Sequence, residues 1–263
     1  VPYPSVMFVH AHPDDESLWT GGVIARSVAA GAPTSVITCT WSPGTHRHAE
    51  LVTALGALGA AEPVMLGWAD DKFPDSAPGR PRLCDCSFDE AVTQIVAEIR
   101  RRRPQVVVTY DAFGIYGHPD HIHAHRLAVA AVEAAACGPV HPELGAAWQV
   151  SSLYFSTVPT ALMKAIGLRV NGAAPATDDA AAPGTPDHLI DTRIDVTPWL
   201  DRKWEAINAH ASEVERSTAL KVLVTLDVEQ RTALLGTEWF LRRDLVPGGS
   251  DLVTDTGHLS NPR

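Results

Sequence analysis

Val6-Met7-Phe8-Val9-His10-Ala11-His12-Pro13-Asp14-Asp15-Glu16 passes abruptly from an apolar run to imidazoles, a proline and three acids. An apolar run bounded by a breaker predicts a buried strand, and Pro13 cannot continue a central one. The acids are therefore expected at a strand's carboxyl end. In open parallel α/β sheets that is where ligands bind, so His12, Asp14 and Asp15 fall where chemistry is usually done.

Outward from this stretch the chain alternates. Leu18, Val23, Ile24 and Val28 recur at helical spacing over 17–30, with Gly31 as the stop signal. Residues 35–41 are β-branched and predict a second strand, 48–59 a helix, and 64–66 a short third strand. Pro74, Pro78, Gly79 and Pro81 break the text over 67–86 into a long loop. A helix over 88–103, capped by Ser87, ends in Arg100 to Arg103, which reads as a solvated last turn whose cations suit the helix dipole. Val106 to Tyr110 is the next buried strand. This order predicts an α/β fold, a parallel sheet flanked by helices with right-handed crossovers.

Beyond Gly138 the rhythm loosens, with strands expected over 148–158 and 189–196, a loop over 171–186 and a helix over 198–210. No repeat or linker divides the chain. One domain over 1–263 is expected, with both polar motifs in a core of 1–137 and a C-terminal elaboration of strands and helices over 138–263.

The 263 residues suffice for a sizeable core, and 45% hydrophobic with 20% charged residues is ordinary globular usage. A net charge of −10 excludes a general nucleic-acid surface, since phosphate binding needs a basic face. No run approaches a membrane span and no secretory signal is seen, so a cytoplasmic protein without membrane partners is expected, with a homo-oligomer left open. Four cysteines without zinc-finger spacing read as reduced thiols. Of twelve histidines, five lie between 118 and 141.

Four of those five fall in a second constellation, Tyr116-Gly117-His118-Pro119-Asp120-His121-Ile122-His123-Ala124-His125, which also follows a predicted strand and starts a helix. In a parallel sheet both motifs share one rim. Two imidazoles and a carboxylate leave a tetrahedral zinc an open position for water. His12 at the strand end and Asp15 three residues on can turn inward to one metal, which frees Asp14 to accept a proton from the activated water. Pro119 fits the first helical position, making His118 the N-cap. His121, nearer the rim than His125 on the same face, is the preferred ligand, and His125 is a supporting partner or alternative. His118 can then face a developing oxyanion and Asp120 can orient an imidazole. Glu16 reads as a backbone acceptor at the helix start, His10 as a packed core residue and His123 as facing away. Cys84 and Cys86 read as loop residues, and His210 has no derived role.

With Ala11 to Glu16 and His118 to His121 in view, the sequence resembles the LmbE/PIG-L family of zinc-dependent N-deacetylases, whose two signatures stand here letter for letter. Val36 to Thr40, Arg47 to Leu51, Gly114 to Gly117, Thr192 to Val196 and Ala209 to Ala211 look like its actinobacterial branch, which includes the mycothiol-pathway deacetylase and the mycothiol S-conjugate amidase. The resemblance touches most of the chain and is tightest to about residue 135. It implies a Rossmann-like fold and Zn2+, with ferrous iron also suited to the donors. It further implies metal ligands His12, Asp15 and His121, Asp14 as base, and His118 as electrophile or proton donor. Arg47, Asp70 and Tyr116 match substrate-binding positions, Asp70 being preferred to Asp71 because Phe73 then takes the family's apolar place. The loop from Trp41 to His46 departs from the family in being short and aromatic; Trp41 reads either as a pocket platform or as packing on the sheet end.

The expected function is hydrolysis of an acetyl or similar amide on a small N-acylated, amino-sugar-bearing molecule. An amidase of a larger thiol conjugate is the nearest alternative. A nucleotide- or sugar-binding module without catalysis is the alternative in another class, opposed by three acids where pyrophosphate needs glycines and exposed amides.

Overall fold

The computed structural model describes residues 3–171 and 183–253. The elements run β1 (Val6–His10), α1 (Asp15–Ala29), β2 (Thr34–Thr40), α2 (His46–Leu58), β3 (Val64–Trp68), α3 (Phe88–Arg102), β4 (Val106–Tyr110), the single turn α4 (Gly114–Gly117) and α5 (Pro119–Ala136). Then come β5 (Ser152–Thr157), α6 (Thr160–Asn171), β6 (Thr192–Asp195), α7 (Leu200–Ala209), α8 (Ala211–Arg216), α9 (Thr218–Leu223), α10 (Val228–Leu235) and β7 (Thr237–Asp244).

The strands join one sheet of order β3-β2-β1-β4-β5-β7-β6. The strands β1 to β5 are mutually parallel, whereas β7 inserts antiparallel between β5 and β6. The chain winds from β1 towards β3 on one side and from β4 onwards on the other. The boundary between β1 and β4 is therefore the switch point, where the loops after the two strands diverge and leave a crevice. Val6, Met7 and Phe8 stand opposite Val106, Val107 and Val108, so the two polar motifs emerge side by side.

Alternation along β1 divides the core. Met7 and Val9 join Val107 under α3 and α5, and Val6 and Phe8 join Val106 and Val108 under α1, α2 and α7. The caps expected from sequence are in place: Ser87 accepts from the Glu90 amide and Gly31 adopts φ of +71°; Gly59, at φ +78°, ends α2 in the same way. Gly22 is needed where α1 meets the chain after β6, since a Cβ there would lie 2.3 Å from Val196 Cβ.

The structure corrects the expected C-terminal half. The strand expected over 148–158 is confined to Ser152–Thr157, and that over 189–196 to Thr192–Asp195. The chain enters α7 through a 3-10 turn at Thr197–Trp199, while α6, α8, α9, α10 and β7 had no sequence expectation. Most of the loop expected over 171–186 lies outside the described residues. Arg100 is not solvated but buried: its guanidinium donates to the carbonyls of Ala134, Ala135, Cys137, Val140, His141 and Gly145, closing the end of α5. Among the described residues no helix is long and apolar enough to cross a membrane. The four cysteines form no disulfide.

Candidate metal centre and active site

His12 lies in the loop leaving β1, Asp15 is the first residue of α1, and His121 lies in the first turn of α5. His12 Nδ1 is 3.2 Å from His121 Nε2 and 3.2 Å from Asp15 Oδ2, and Asp15 Oδ1 is 3.3 Å from His121 Nε2. The outer partners fix which nitrogens carry protons. His121 Nδ1 donates to the Gly114 carbonyl at 3.3 Å and His12 Nε2 to Asp120 Oδ2 at 3.1 Å, which leaves two imidazole lone pairs and a carboxylate facing one another. Acceptors alone repel at this range, so the cluster calls for a positive charge between them, either a proton on His12 Nδ1 or a metal cation. Burial opposes charge on both His12 and Asp15, yet the carboxylates of Asp120 and Asp15 hold His12 well above the ordinary imidazole range, and the two imidazoles hold Asp15 well below the ordinary carboxylate range. The pocket is thus electrostatically built for one added positive charge. Donor atoms of His12, His118 and His121 lie within 4.8 Å of one another, as do those of His12, Asp70 and Asp120.

The cluster is rigidly held. Asp15 accepts from Tyr110 Oη at 2.6 Å, Trp19 Nε1 at 3.0 Å and the His12 amide at 2.8 Å, and Tyr110 Oη accepts from the Ala11 amide. Gly114, at φ +66°, gives room to His121, whose Cβ would meet a Cβ there at 2.7 Å. His118 caps α5 with its own ring, Nδ1 accepting from the Asp120 amide, so the neutral ring carries its proton on Nε2. Burial, with His12 and His121 nearby, pushes the His118 pKa down to about 4 and keeps that ring neutral.

Asp14 has φ +126° and ψ −27°, a backbone that non-glycine residues rarely take. Its amide donates to Glu16 Oε2 at 3.0 Å, and Glu16 Oε1 in turn accepts from Ser17 Oγ and from His210 Nε2 at 2.7 Å. Burial pushes the Asp14 carboxyl up to about 7, against the opposing pull of Arg47. Arg47 is buried. Its guanidinium lies 3.4 Å from Asp14 Oδ2 and 2.6 Å from Glu213 Oε2, and donates to the Pro13 carbonyl.

Asp70 lines the cavity above the cluster, 3.6 Å from His12 Nε2, and accepts from Trp41 Nε1 at 3.3 Å. Asp71 turns its carboxylate to Arg82 and Cys84 and gives its amide to Asp120. Trp41 packs beneath Arg47 and against Phe73, which favours its packing role. Tyr116 stands exposed at the mouth, its ring 5.2 Å from that of His121. His125 donates to the Tyr110 carbonyl and packs at a tilt against Phe155, apart from the donors. His123 faces Cys86 and Phe88, and His10 is buried against Thr20. Tyr110, Trp19, His210 and Glu213 are the site neighbours the sequence reading did not assign.

Residues 7–132 match the PIG-L family, GlcNAc-PI de-N-acetylase. The chain is 38% identical to the 1D-myo-inositol 2-acetamido-2-deoxy-alpha-D-glucopyranoside deacetylase of Mycobacteroides abscessus, over 85% of this chain and 88% of the relative. The chain belongs to the PIG-L family. Another member, the deacetylase of the same description from Rhodococcus opacus, is 41% identical over 80% of this chain and 81% of its own. In fold the chain is similar to the N,N'-diacetylchitobiose deacetylase of Pyrococcus horikoshii, with a TM-score of 0.63 at 15% identity, over 92% of this chain and 84% of that one. PIG-L membership and the convergent His/Asp donors make this protein a metal-dependent N-deacetylase/amidase.

Proposed function

We propose that this enzyme removes the acetyl group from an N-acetylated amino-sugar glycoside of small-molecule size. The observation that carries the reading is the convergence of His12, Asp15 and His121 on one cation position beside the half-buried Asp14. The relatives named above are described as acting on a 2-acetamido-glucopyranoside of inositol, which supports the amino-sugar class. His12, Asp15 and His121 would hold zinc or ferrous iron, which when bound would supply Lewis acidity and lower the pKa of water to about 7.

The chain's own groups divide the remaining work. Asp14, poised near neutrality, takes the proton of the attacking water and has it available for the departing amine. His118, neutral with its proton on Nε2, donates to the developing oxyanion. Asp120 holds the His12 ring in the ligating tautomer. Arg47, Asp70 and Tyr116 stand where substrate hydroxyls enter, Arg47 also drawing the Asp14 carboxylate into place.

The test is anaerobic metal analysis coupled to amine release from a panel of N-acetylated glycosides. Protein loaded with zinc or iron is expected to release free amine, and metal-free protein none. Metal-loaded protein that releases no amine from any of the panel would overturn the reading.

A further inference from the structure

The cavity over the metal cluster, about 460 Å³, is two-sided. Its inner part carries the polar groups already described. Outward, it is walled by Leu162, Met163 and Ile166 of α6 and by Leu220, Leu223 and Leu226 of α9 and the turn after it. Most of these side chains are only half-buried, although α6 and α9 pack together. A glycoside of inositol presents hydroxyls in every direction and gains nothing from such a wall. An apolar substituent reaching out from the reacting amide would cover it.

We infer that the substrate carries an extended apolar group, seated between α6 and α9 while its acylated amine lies at His12, Asp15 and His121. The inference rests on the deacetylase reading and adds to it the chemistry of the remainder of the substrate. Two parts of an N-acylated amino sugar can supply that group: the aglycone, or the acyl chain itself. The polar floor is needed in either case, because the hexose hydroxyls lie next to the reacting nitrogen. Each buried methylene favours the apolar compound by about fourfold in transfer free energy, so a six-carbon chain is expected to gain tenfold or more even when partly covered.

Metal-loaded enzyme is to be given three compounds: the inositol glycoside of N-acetylglucosamine, hexyl N-acetylglucosaminide for the aglycone, and methyl N-hexanoylglucosaminide for the acyl chain. Amine release should show kcat/KM at least about tenfold higher for one of the hexyl or hexanoyl compounds than for the inositol glycoside. Ile166→Asp and Leu223→Asp should each shrink that ratio towards one, with circular dichroism and metal content checking that the fold persists. Calorimetry of the corresponding products, hexyl against methyl glucosaminide and hexanoate against acetate, reads the wall without any hydrolysis. Equal kcat/KM for all three compounds, or equal product affinities within both pairs, overturns the inference. Tighter binding of a hexyl product together with no amine release from any compound keeps the apolar wall and overturns the deacetylase reading instead.

Discussion

Asp14 and Asp15 are adjacent acids with opposite electrostatics, and backbone geometry separates them. Asp15, in the first turn of α1, receives three hydrogen bonds and faces two imidazoles; Asp14, at φ +126°, is turned away to Arg47. Asp14→Asn keeps the shape, and asparagine tolerates unusual φ better than most residues. The variant is expected to bind metal as the parent does while kcat falls by about 10²- to 10⁴-fold. Wild-type turnover in this variant would remove Asp14 from the role of base. His10 offers a separate residue-scale test. Burial pushes its pKa down to about 4, so the folded protein keeps the ring neutral while the unfolded chain protonates it near pH 6.5. Its contribution is intact above pH 6.5 and is lost as pH falls from there through about 4. In His10→Phe the urea midpoint should fall less steeply between pH 7 and 4.5; parallel slopes for the two proteins would sink the assignment.

At the scale of elements, the C-terminal helices reach back to the motif that opens the chain. His210, between α7 and α8, donates to Glu16, and Glu213 of α8 pairs with Arg47, so the Asp14 loop is braced from a segment distant in sequence. His210→Leu leaves the buried Glu16 carboxylate short of a donor, at a cost of about 1–3 kcal/mol. Because Glu16 also holds the Asp14 amide, kcat should drop by up to about a hundredfold while KM and metal content stay level. His210→Gln, which restores a donor, should recover much of both losses; recovery of stability without kcat would reduce His210 to a structural brace. The contrast between the halves shows what the sequence made legible. The proposed metal donors, the His118 cap and the strands β1 and β4 rest on local signals, namely an apolar run, a breaker and a proline at a helix start. His210, Glu213 and Arg100 do not, for their roles are set by partners that only the folded chain brings near. The antiparallel insertion of β7 was hidden for the same reason, since no local pattern states that a late strand will pair between β5 and β6.

Over the whole molecule, the switch point between β1 and β4 would make the proposed metal cluster a clasp. His12 and Asp15 come from the first strand-helix unit, His121 from the unit that follows β4, and in the unfolded chain these donors are far apart. A cation that binds only the folded arrangement stabilises it by mass action, about 2.7 kcal/mol at a hundredfold excess over Kd. For a chain of this size that corresponds to a rise in Tm of roughly 5–10 °C. The rise should itself depend on pH. Without metal, Asp120 and Asp15 hold a proton on His12 well above the ordinary imidazole range, and the cation has to displace that proton before Nδ1 can ligate. Lower pH strengthens the competitor, so the gain in Tm on metal addition should be small at pH 6 and increase steadily towards pH 8. Asp120→Asn weakens the hold on the proton and should flatten the dependence, whereas His121→Ala, which removes a donor, should abolish the gain at every pH. Differential scanning calorimetry of metal-free and reconstituted protein across that range decides the matter. A gain in Tm that does not change with pH, or one that survives His121→Ala, would mean that the stabilising cation sits elsewhere.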